Sequence, residues 1–111
     1  MKLITERLDS FFNEKAERTF DPEITLQQLT TNALNVGCWG AHDFVGYRDS
    51  VLYFKVNGAL HKGFVVIILN YMDTYDIYLL NKDAELVGKG TKDIYADMLN
   101  EVVDNLVETP N

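Results

Sequence analysis

The chain has 111 residues, with 10 Lys and Arg against 17 Asp and Glu, a formal net charge of −7. With 47% hydrophobic residues it is too apolar for intrinsic disorder, and its length predicts one domain, residues 1–111. Its longest apolar run, Phe64 to Leu69, falls far short of the ~20 residues that cross a bilayer, and the acidic balance disfavours bare nucleic acid and anionic membranes.

The only cysteine, Cys38, excludes an internal disulfide framework and predicts a reducing, cytoplasmic setting. Glu6, Arg7 and Asp9 leave the N-terminal segment without the apolar core of a signal peptide.

From Lys2 to Arg18, Ile4, Leu8, Phe11, Phe12 and Ala16 fall on one helical stripe opposite a mixed-charge face, predicting an amphipathic helix that ends before Pro22. A second helix is expected near Thr25, where Thr25 and Gln28 have capping-box spacing. Asn35 to Gly40 reads as its exit and a short extended piece.

From Phe44 the period changes to two. Strands are predicted at Val51–Asn57, at Phe64–Asn70 (apolar on both faces, hence central) and at Tyr75–Asn81. A turn at Lys82-Asp83 leads to a short edge strand, Ala84–Gly88. Finally, Ile94, Tyr95, Met98, Leu99, Val102, Val103, Leu106 and Val107 form one stripe at 3.6 residues per turn. The reading is α+β. Two N-terminal helices lie within residues 1–35, an antiparallel meander of about four strands within 36–90, and an amphipathic C-terminal helix, 92–108, packs on the sheet.

Three stretches carry a family resemblance: Thr25-Leu-Gln-Gln-Leu29; Asn32 with Gly40-Ala41-x-Asp43-Phe44; and Asp73-Thr-Tyr-Asp-Ile-Tyr78 with Asp93-Ile-Tyr-Ala-Asp-Met-Leu99. In this order they resemble a family of small uncharacterised proteins of bacterial genomes, phages and mobile elements. The resemblance spans about residues 25–107 and implies a fold and a genomic context, with no activity attached. Thr30-Thr31 replaces a Gly-Gly pair common in that family, and Thr does not share glycine's tolerance of positive φ.

The sharpest pattern outside the expected core is acidic. Asp93, Asp97, Glu101, Asp104 and Glu108 would occupy an about 80° sector of one helix, opposite the apolar stripe. Such a row is either a solvated face or a docking surface for a basic partner; in a phage-like context, that partner is a host nucleic-acid-binding protein. Cys38, His42 and Asp43 are the weak catalytic candidates, since a thiol needs an imidazole and an orienting group, but no nucleophile-elbow motif accompanies them.

No zinc-like ligand spacing is present, and Asp73 and Asp76 read as turn and strand-cap residues. Gly88-Lys-Gly90-Thr91 lacks Walker spacing. Neither cofactor nor metal is expected. The sequence therefore predicts a non-catalytic interaction domain using the acidic row. The alternatives are an enzyme or ligand-binding domain built on Cys38, His42 and Asp43, and a module that self-associates through its first helix or a sheet edge.

Overall fold

A computed structural model describes residues 4–31 and 33–108. Lys2, Asn32, the Ala33 side chain and the Thr-Pro-Asn tail after Glu108 lie outside the described residues. The architecture is α+β, and the sheet is antiparallel. It has five strands rather than about four, in the order β1-β2-β3-β4-β5: β1 His42–Tyr47, β2 Val51–Asn57, β3 Lys62–Leu69, β4 Tyr75–Leu80 and β5 Leu86–Ile94. The strand not foreseen is β1, where the register shifts between His42 and Val45 around Asp43, whose φ is 55°.

One face of the sheet carries α1, Ile4–Lys15, whose Leu8 and Phe12 pack with Val51, Phe64, Val66, Ile68, Tyr78 and Leu80. The other carries α2 Pro22–Leu29, α3 Ala33–Cys38 and α4 Leu99–Val107, which meet Phe54, Val65, Ile67 and Ile77 through Leu29, Trp39, Leu99, Val103 and Val107. β3 is thus apolar on both sides because both faces are covered.

Several element bounds and caps differ from expectation. α2 starts a turn early: Asp21 is its N-cap, accepting the Glu23 N–H at 2.9 Å, and Pro22 opens the helix, a position where the missing N–H costs nothing. Thr25 is therefore no cap but sits buried inside the helix, its hydroxyl 2.9 Å from that of Tyr75. The piece expected to be extended is α3, whose last turn closes with the Trp39 N–H on the Asn35 carbonyl.

The C-terminal helix starts at Leu99, not at residue 92. β5 continues to Ile94, which pairs with Tyr75, and a 3-10 turn, Ala96–Met98, intervenes. Asp93 has φ 60°, a left-handed value that breaks a helix. β5 outruns its expected end because Gly88 and Gly90, with φ of 76° and 85°, bend the strand without ending it. At Gly90 a Cβ would lie 2.6 Å from the Tyr78 ring, so the strand crosses that ring only as glycine.

The β2–β3 loop clasps the end of α4. The N–H groups of Leu60 and His61 reach the Val107 carbonyl at 2.8 and 3.3 Å, supplying donors to an otherwise orphaned helix-end acceptor. Gly58 permits the approach, since a Cβ there would lie 2.4 Å from that same oxygen.

Candidate functional site

The five acidic residues do not form one row. Asp93 is the penultimate residue of β5, and its Oδ1 accepts from Asn70 Nδ2 (3.2 Å) and Thr74 Oγ1 (3.3 Å). Asp104 Oδ1 accepts the Nε1–H of Trp39 at 2.9 Å, which supplies the partner that a fully buried indole needs. Glu108 Oε2 accepts the Ala59 N–H at 2.7 Å, reinforcing the clasp. Asp104 and Glu108 are half-buried; Asp93, although tied to Asn70 and Thr74, is exposed, as are Asp97, in the 3-10 turn, and Glu101, in the first turn of α4.

Their neighbours Tyr95 and Met98, which the helical stripe assigned to the core, are 67% and 42% exposed. Starting the helix at Leu99 rotates both out of the buried stripe, and the 3-10 turn presents them with Asp97. The β3–β4 turn adds exposed Tyr71 and Met72 at the same end of the sheet.

That turn is held by a buried polar cluster. Asn70 Oδ1 accepts from the N–H groups of Met72 (2.9 Å) and Thr74 (3.2 Å) and from the Thr74 hydroxyl (3.1 Å). Its Nδ2 donates to Asp76 (2.9 Å) as well as to Asp93, and Asp76 also accepts the Asp93 N–H at 3.1 Å. Asp76 is thus a buried link between β4 and β5, while Asp73 pairs with Arg18 beyond α1. Asp73 takes the turn role read from the sequence, with φ 63°, whereas Asp76 lies inside β4 opposite Ile68.

Of the catalytic candidates, Cys38 is exposed at the end of α3. His42 and Asp43 open β1, with His42 Nδ1 2.8 Å from the Gly40 carbonyl, which makes Nδ1 the protonated nitrogen of the neutral ring. Asp43 lies 4.0 Å from His42 Nε2 and 3.6 Å from Lys55 Nζ. Among the described residues, no group of three or more His, Cys, Asp or Glu side chains could hold a metal ion.

His42 instead lines a cleft of about 480 Å³ with Ile4, Lys55, Asn57, Phe64 and Lys82. Sequence reasoning missed this cleft. The pairing of His42 with Lys55 and of Lys55 with Phe64 across three strands is a matter of register, which no local pattern encodes. Phe11 and Phe12, candidates for a self-association surface, are spent on the sheet: Phe12 is 1% exposed, and Phe11 meets the Tyr78 ring edge-on at 5.4 Å.

Burial raises the Tyr53 and Tyr78 phenols above their ordinary pKa, helped by the Asp9 carboxylate at the first and by Asp76 and Glu17 at the second. No described helix is long and apolar enough to cross a membrane. No protein-family model, curated protein or solved structure is significantly similar to this chain.

Proposed function

We propose that the protein is a non-catalytic interaction domain. It docks a basic partner through Asp97 and Glu101, with Tyr95, Met98 and the Tyr71-Met72 turn as apolar contacts. The observation that carries this reading is the exposure of Tyr95 and Met98 beside two carboxylates that bind nothing structural in the described residues, with Tyr71 and Met72 exposed at the same end of the sheet. A merely solvated face needs charge alone, whereas tyrosine and methionine are interface-enriched residues whose exposure gains nothing for solubility. The matching surface is a Lys- and Arg-bearing segment with apolar anchors. The resemblance to phage and mobile-element proteins would make its owner a host nucleic-acid-binding protein, whose DNA site the carboxylates occupy.

The test is affinity capture from nuclease-treated host lysate with the native chain, the Asp97→Lys/Glu101→Lys variant and Tyr95→Ala. A basic protein retained by the native chain and lost from both variants is the expected result. Equal retention by all three, or none by the native chain, defeats the reading. Asp104 is a poor choice for charge reversal, because its loss would strand the Trp39 N–H and confuse docking with folding.

A further inference from the structure

The end of the sheet opposite Tyr95 and Met98 has the contrary character. In a chain of net charge −7, the cleft there is lined by Lys55, Lys82 and the His42 imidazole, with the Asn57 amide beside them and Phe64 and Ile4 as apolar surface. Asp43 is the acid recorded near it, 3.6 Å from Lys55 Nζ. Its volume of about 480 Å³ lies in the range of small-molecule sites.

Two lysines from different elements, β2 and the β4–β5 turn, line the same space, and a pair of cations complements a dianion better than a monoanion. Lysine binds phosphate as a point charge, whereas planar carboxylates favour the guanidinium fork, and among the described lining residues there is no arginine. The overall acidity repels an extended polyanion, so the fitting ligand is small. Phe64 is only 6% exposed, with Lys55 Nζ 5.9 Å from its ring centroid, so Ile4, 43% exposed, supplies most of the apolar surface next to the charge.

We propose that this cleft binds a small phosphate monoester with a compact apolar body, the phosphate on Lys55 and Lys82 and the body against Ile4 and the exposed edge of Phe64. Asp43 competes for Lys55, so the site is attenuated as it stands. The proposal is independent of the docking surface at the other end.

Phenyl phosphate is the probe, titrated into the full native chain and followed by amide chemical shifts. Saturable shifts at His42, Lys55, Phe64 and Lys82 are expected. The exposed-residue change Lys82→Gln should weaken binding about ten-fold, the loss of one charge-assisted contact, whereas Asp43→Asn should strengthen it several-fold. Inorganic phosphate and benzoate should each bind more weakly, since each lacks one half of the ligand.

Absence of saturable shifts at millimolar probe, binding unmoved by Lys82→Gln, or benzoate matching phenyl phosphate would each overturn the assignment. Shifts clustered away from these residues would do the same.

Discussion

Asp104 and Asp97 are the same residue type, seven positions apart on a stretch that sequence alone treats as uniform, yet their work differs. Replacing Asp104 by Ala leaves the indole N–H of a residue with no exposed surface without its acceptor. It should cost about 1–3 kcal/mol in urea unfolding, whereas Asp97→Ala should stay within about 0.5 kcal/mol. Equal effects would mean that Trp39 finds another acceptor.

The two left-handed glycines of β5 separate conformation from space. Nothing lies within 4 Å of a Cβ added at Gly88, so Gly88→Ala reports the cost of positive φ alone, about 1–2 kcal/mol. Gly90→Ala adds collision with the Tyr78 ring and should be the more destabilising by about 1–3 kcal/mol. Thermal melts of the two variants settle the order.

At the scale of elements, the Asn70–Asp76–Asp93 cluster joins the β3–β4 turn to the end of β5 and so fixes where α4 begins. Asn70→Asp would set a third carboxylate against two that now share one amide donor. Its destabilisation relative to the native chain should be about 1–3 kcal/mol in urea unfolding, because the shared donor to both carboxylates is lost. An unchanged midpoint would show that the cluster does not hold the turn.

The same cluster shows what the sequence could and could not reveal. β2 is legible to the residue, and β3, β4, the first helix and the end of α4 to within a few residues, because the periods of 2 and 3.6 in their apolar residues reflect burial that is really there. The reading fails where tertiary contacts outvote periodicity. Ile94 and Tyr95 continue the helical pattern of α4, but Ile94 pairs with Tyr75 and Asp93 is held left-handed by Asn70 and Thr74. That displacement dissolves the five-carboxylate row and brings Tyr95 and Met98 to the surface. The cleft stays hidden for a related reason, since its lining comes from α1, three strands and a turn.

The molecule as a whole is a sheet covered on both faces, and its tyrosines tie its stability to alkali. Tyr53 and Tyr78, and also Tyr47 beside Asp9, have phenol pKa values raised from 10.0, with burial the leading cause in each. The unfolded chain therefore gives up these protons first. The corresponding stability is complete below pH about 10 and drains away as pH climbs from there toward the folded-state values. Denaturant midpoints should hold steady through neutral and mildly basic pH and fall above that, with Tyr78→Phe flattening the decline. A flat native profile above pH about 10 would show these phenols ionising alike in both states.

The clasp of Gly58–His61 on Val107 has a consequence for biosynthesis. Every strand pairs with the one made just before it, so the meander can assemble as it leaves the ribosome. The flank bearing Phe54, Val65 and Ile77, however, gains Leu99, Val103 and Val107 only when α4 has also emerged. Until then, a nascent sheet holds out an oily surface and a loop whose amides await one carbonyl. That interval, before α4 follows the meander out of the ribosome, is when a chaperone, or a neighbouring nascent chain, has its best opportunity to bind.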